Sequence, residues 1–126
     1  MGGDMQENRS SDLSRRTKHF ALDVIHFVES LAKDRTNEVI GRQLLRAATS
    51  VGANYRAATH ARSRADFISK MGIVEEEADE CVYWFEILEE AHKTLNGTIE
   101  PLKREARELL AITITSIKTA KRNRNR

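Results

Sequence analysis

Arginine and lysine carry the chemistry that this sequence offers most plainly. Lys118, Lys121, Arg122, Arg124 and Arg126 place five positive charges at the C-terminus with no acid among them. Residues 35–62 hold five arginines against Glu38, a net +4. Residues 63–92 hold nine acids against Arg64 and Lys70, a net −7. The formal net charge of +2 over 126 residues therefore conceals a segregation. Clustered guanidinium and ammonium groups grip phosphates. The candidate nucleic-acid contacts are Arg42, Arg46, Arg56, Arg62 and Arg64, together with Lys118, Lys121, Arg122, Arg124 and Arg126. The same pattern also suits helices of opposite sign packed side by side.

Other reactive residues offer less. Asp23 with His26, and Glu89 with His92, each set a carboxylate and an imidazole one helical turn apart. Helical bundles hold di-metal centres with such pairs. Here the two pairs would differ in height by roughly 15–20 Å at 1.5 Å per residue. His26 also points away from the apolar stripe of its helix, so no metal or other cofactor is expected. Cys81 falls in an apolar seam, where a thiol behaves as a small hydrophobe. No glycine-rich phosphate loop is present, and no serine or threonine has a placed His/Asp pair. Neither an enzyme nor a small-molecule substrate is expected. A lone cysteine excludes a disulfide framework within one chain. No apolar run approaches the ~20 residues of a membrane span, and Met1–Ser14 lacks a signal-peptide core. A cytoplasmic protein with no membrane partner is expected.

Four periodic segments must position these groups. One domain over residues 1–126 is predicted, with helices at about 12–33, 36–61, 64–93 and 99–121 and mobile ends at 1–11 and 123–126. The first stripe is Phe20, Val24, Phe27, Val28 and Leu31. The second is Ile40, Leu44, Ala47, Val51, Tyr55 and Ala58. Ser63 and Asp66 can cap the third helix. Its Phe67, Met71, Val74, Ala78, Cys81, Phe85 and Leu88 alternate steps of four and three, the seam of left-handed bundle packing. Asn96-Gly97 reads as a helix stop. Pro101 suits the first turn of the fourth helix, which carries Leu102, Ala106, Leu109, Thr113, Ile117 and Ala120. Short connections make neighbours antiparallel, so the fold class is all-α, an up-down-up-down four-helix bundle.

Two features exceed the needs of a lone bundle. Ile73, Trp84, Ile87 and Ala91 form a second apolar face on the third helix, and a homo-oligomer interface is expected there. On the second helix, Ser50 and Asn54 belong to a small and polar seam. With Arg46 and the carboxylates of Glu76, Glu77 or Glu80, they are expected to form a structural polar network.

The run Arg46-Ala47-Ala48-Thr49-Ser50-Val51-Gly52-Ala53-Asn54-Tyr55-Arg56-Ala57-Ala58 resembles the second-helix signature of the four-helix bundle family of 23S ribosomal RNA intervening-sequence proteins. The segments Ala65–Lys70, Glu75–Glu80 and Tyr83–Leu88 resemble its third-helix signature, with Phe85 and Ile87 where leucines would be expected. The resemblance covers about 45 residues. It implies bundles that assemble as rings, typically homopentamers. It also implies a relation to the accessory variability determinant of diversity-generating retroelements, a basic pentamer that binds nucleic acid. The acidic third helix departs from such a basic wall. The expected function is a non-enzymatic oligomer that binds structured RNA or a ribonucleoprotein. The alternative is an interaction scaffold that docks a protein on the acidic helix.

Overall fold

The computed structural model describes residues 2–124, with side chains described from Asp12 to Asn123. Four helices follow in order: α1 (Gly2–Ser30), α2 (Arg35–Thr59), α3 (Arg64–Ala91) and α4 (Asn96–Arg124), with a 3-10 turn at Lys93–Leu95 before α4. No strand occurs among the described residues. Consecutive helices are neighbours, α1 closes against α4, and the diagonal pairs keep their backbones apart and meet only through core side chains. The chain is all-α and packs as an antiparallel bundle.

One core runs along the axis. Phe20, Val24, Phe27 and Leu31 meet Leu44, Val51 and Tyr55 from α2 and Met71, Val74 and Leu88 from α3. Ala106, Leu109 and Ile117 complete it from α4. The Phe27 and Phe85 rings meet edge to face, 6.1 Å between centroids, the geometry that ring quadrupoles favour. Each stripe read from the periodicity faces this core, with Val28, Ile40, Phe67 and Leu102 half-buried at its margin. Cys81 is fully buried, and desolvation pushes its thiol far up, so it stays protonated and inert.

The helix ends differ from the sequence expectation in two places. α1 begins at Gly2 rather than near Asp12. Nothing from Asp4 to Asp12 is proline or β-branched, so nothing local halts propagation. The side chains of 1–11 and 124–126 lie outside the described residues, and so does the expectation of mobile ends. Asn96-Gly97 does not stop a helix: Asn96 has φ −54° and ψ −42° and opens α4. Pro101 consequently falls inside α4 instead of in its first turn. Gly97 and Pro101 are both exposed there, so water can reach the carbonyl that proline leaves unpaired.

The stop falls instead at His92, with φ −135° and ψ 80°. Its Nε2 lies 2.9 Å from Oδ1 of Asn37. The Asn37 amide nitrogen donates to the Ala32 carbonyl at 3.0 Å and to Asp34 at 3.3 Å. With its N–H₂ group so placed, Oδ1 is the acceptor, and His92 is the donor. Asp34 itself caps α2, accepting from the Asn37 backbone N–H at 2.8 Å. One buried asparagine thus ties the end of α3 to the α1–α2 turn.

Two glycines of α2 face α1. A methyl at Gly41 would meet Val28 Cγ1 at 3.1 Å, and one at Gly52 would meet Thr17 Oγ1 at 3.4 Å. Gly72 on α3 has open space around it. Replacing Gly72 with alanine should therefore stabilise the fold by about 1 kcal/mol through helix propensity. Val28 is stiff at χ1 and cannot yield easily, so Gly41→Ala should lie at least ~1 kcal/mol below Gly72→Ala. Urea unfolding of both variants measures the gap.

The start of α3 is capped as expected. Ser63 Oγ accepts from the Asp66 N–H at 3.0 Å, and Asp66 reaches back to the Arg62 N–H at 3.1 Å. Lys70 donates to both Asp66 oxygens at 2.7 Å. That ammonium first, and the Arg62 N–H second, hold the Asp66 carboxyl below the usual carboxylate range. A depressed folded pKa gives stability that is present above the unfolded value, about 3.9, and lost as pH falls through the folded one. Asp66→Asn should be less stable than the parent at pH 7. The gap should shrink at pH 3 and below, as denaturant titrations at the two pH values would show.

Candidate nucleic-acid interface

Ion pairs across the helix seams set the height of each helix against its neighbours. Arg16 on α1 donates to the two oxygens of Glu105 on α4 at 2.7 and 3.1 Å, and lies 3.3 Å from Glu108. Lys103 on α4 meets Glu89 on α3 at 2.7 Å, where both side chains are largely shielded from water. Arg107 lies 4.0 Å from Glu86 one turn further on. Arg46 on α2 binds Glu77 at 2.8 Å and also Glu80 on α3. The carboxylate hydrogen bonds raise Arg16, Arg46 and Lys103 above their ordinary values, keeping them charged throughout the physiological range.

This register gathers one end of the bundle from four sources: the first turns of α3, the last turns of α2 and α4, and the N-terminal half of α1. Arg56, Arg62 and Arg64 stand around the α2–α3 turn, all exposed. Lys118, Lys121 and Arg122 lie on α4, beginning about 16 Å beyond Arg107 towards the same end. None of the six makes an ion pair among the described residues. The side chains of Arg124 and Arg126 lie outside the described residues.

Two candidate cations are not brought to this end. Arg42 lies fourteen residues before Arg56, about 21 Å along the axis, and pairs with Glu38 at 3.5 Å. Arg46 sits at mid-height and is committed to α3. The expected polar network is accordingly smaller than the sequence implied. It holds Arg46, Glu77 and Glu80. Asn54 instead donates to the Ser50 carbonyl of its own helix at 2.9 Å, and Glu76 is exposed with no ion pair among the described residues. A short amide side chain one turn from a carbonyl bonds locally before it reaches a neighbouring helix.

Lys18 and His60 join the basic end without having been singled out in the sequence. They line a groove between α1 and α2 together with Arg56, above a floor that includes Gly52 and Ala53. The groove is about 420 Å³. Its signal was hidden because Lys18 and His60 are forty-two residues apart and meet only through antiparallel pairing. Of the metal candidates, Glu89 is taken by Lys103 and His92 by Asn37. Among the described residues no group of three or more histidines, cysteines or acids could hold a metal ion.

On the second face of α3, Trp84 packs against the core of its own chain, and its indole N–H is enclosed with no acceptor among the described residues. Ile87 is half-buried and Ala91 exposed, while Ile73 is 41% exposed. Tyr83, 54% exposed, meets Trp84 edge to face at 5.0 Å. Beneath a monomer surface, this face would expose Ile73 and Tyr83 rather than the indole.

The sequence profile of the 23S rRNA-intervening sequence protein family matches residues 9–115, which span part or all of each helix. The chain belongs to that family. Its architecture is shared by a solved structure, a protein of unknown function from the S23 ribosomal protein family of Bacteroides thetaiotaomicron. The two are 32% identical with a TM-score of 0.80, over 86% of this chain and 97% of that one. Among curated proteins none matches. No described helix of this family member is long and apolar enough to cross a membrane.

The Arg16–Glu105 pair is bidentate and about a third exposed. A double-mutant cycle with Arg16→Ala and Glu105→Ala should give a coupling of about 1 kcal/mol at low salt, falling in 1 M salt. A coupling near zero at low salt would mean that the pair does not hold α1 against α4.

Proposed function

We propose that this family member is a non-enzymatic, cytoplasmic homo-oligomer that holds structured RNA or a ribonucleoprotein by its phosphates. The observation that carries this reading is the set of six cations at one end of the bundle, none in an ion pair among the described residues. The cations between helices are spent on carboxylates, so a phosphate backbone is the natural counter-charge for this cluster. The family's description, which ties it to an insertion in 23S ribosomal RNA, supports RNA as the partner. Several copies in a ring, a pentamer by family resemblance, would multiply a weak subunit contact. Ile73 and Tyr83 beside Trp84 supply the apolar surface for that assembly, with Ile87 and Ala91 at its edge.

A second reading draws on the acidic outer side of α3. Glu76, Asp79, Glu86 and Glu90 are exposed around Tyr83, a surface that would dock a basic protein. In that case the oligomer would serve as a scaffold and the basic end only as a solubilising surface.

Binding of a structured RNA across a salt series separates the two, with native mass recorded for each protein. The full chain should bind tightly at low salt and lose affinity steeply as salt rises. A version ending at Ile117 should show a shallower dependence, by about one unit of log–log slope per phosphate contact removed. The triple change of Arg56, Arg62 and Arg64 to alanine should lower the slope by roughly two to three, and Arg42→Ala should leave it unchanged. An intact oligomer that binds no RNA at low salt would overturn the reading in favour of the scaffold.

A further inference from the structure

The groove between α1 and α2 has a chemistry of its own. No acid lines it. Lys18 enters from α1, and Arg56 and His60 enter from successive turns of α2. None of the three makes an ion pair among the described residues. The floor is low because α2 presents Gly52 and Ala53 there, and the Gly52 position lies against Thr17. The threonine hydroxyls at the rim do not compete for a ligand's acceptors. Thr59 Oγ1 donates to the Arg56 carbonyl at 2.6 Å and Thr49 Oγ1 to the Leu45 carbonyl at 2.9 Å. Their oxygen lone pairs remain, but the groove's N–H donors are all on cationic or imidazole side chains.

The larger groove at the other end of the α1/α2 seam makes the contrast. It is lined by Lys33, Arg35 and Arg42 against Glu29, Asp34 and Glu38, a balanced set with no preference for an anion. Of the two, the groove beside the α2–α3 turn gathers cationic donors and no acid.

We propose that this groove is a binding site for a terminal phosphate, the phosphate monoester at an RNA end or on a small phosphorylated molecule. Three donor side chains on three separate turns match the three peripheral oxygens of a monoester, which carries close to two negative charges. An internal diester exposes only two such oxygens and a single charge, so it would leave one donor unused. Arginine supplies the planar fork, lysine the point charge and histidine at least one N–H donor in either protonation state. The site narrows the RNA reading to one group. It rests on that reading for the source of the phosphate, and not for the phosphate itself.

The test uses the full chain and a ten-nucleotide single-stranded RNA bearing either a 5′-phosphate or a 5′-hydroxyl. Inorganic phosphate, followed by ³¹P line broadening, is the third probe. The phosphorylated RNA should bind at least tenfold more tightly than the hydroxyl form. Ala53→Leu changes no charge, and Ala53 is exposed, so the variant should fold while filling the floor. It should erase the tenfold preference, as should the double change Lys18→Ala with Arg56→Ala. Lys118→Ala with Lys121→Ala should retain the preference while weakening both RNAs equally. Equal binding of the two RNAs by the parent chain, or a preference untouched by Ala53→Leu, would overturn the groove and leave the salt-dependent RNA reading standing. Groove-dependent broadening by inorganic phosphate, with no binding of structured RNA, would uphold the site and assign it to a small phosphorylated molecule. A phosphoserine peptide that outcompetes the phosphorylated RNA tenfold would overturn the RNA-end assignment in favour of a phosphoprotein.

Discussion

The close approach of α1 to α2 is the constraint on which the basic end depends. Gly41 and Gly52 lie three turns apart on the α2 face that meets α1, and both lack the methyl that would hold the helices apart. Thr17, nearly fully buried, fills the space against Gly52 with its hydroxyl turned back to the Ser14 carbonyl at 3.2 Å. That packing carries Lys18, the next residue, alongside Arg56 and His60. A wider seam would leave three scattered surface cations instead of a lined groove.

Two populations of cations stand apart by what surrounds them. Arg16, Arg46, Lys103 and Arg107 meet carboxylates of neighbouring helices and set register. Such partly exposed pairs contribute modestly to stability. The second population, around the α2–α3 turn and along the last turns of α4, makes no ion pair among the described residues. Part of the acidity of α3 answers the first population. Glu77, Glu80, Glu86 and Glu89 answer cations of α2 and α4, and the unanswered acids lie on the outer side around Tyr83.

Chain ends and turns show how local signals compete with tertiary ones. Ser63 and Asp66 cap α3 through contacts within four residues, so the signal is complete in the sequence. The Asn96-Gly97 signal loses because α3 has already ended at His92, whose ring is held by Asn37 from fifty-five residues away. Once the chain has turned there, Asn96 is positioned to start a helix, and a glycine in its exposed first turn costs little. Trp84 follows the same logic. Its position on a second apolar stripe is local, but its packing onto its own core depends on where the neighbouring helices lie.

The sequence alone determined the number of helices, their buried stripes, the cap of α3, the inert Cys81 and the family. All of these depend on spacings within a few turns of one helix, where periodicity and short motifs speak directly. It also marked Arg56, Arg62, Arg64, Lys118, Lys121 and Arg122 as a charged set. The tertiary structure alone decided which cations are spent and which remain. Arg46 is neutralised by α3, Arg42 stands some four turns away from Arg56, and Lys18 and His60 enter the site from helices that pair antiparallel. Those outcomes follow from register between helices, set by glycine contacts and cross-helix ion pairs whose partners are tens of residues apart, and no single-helix pattern encodes them.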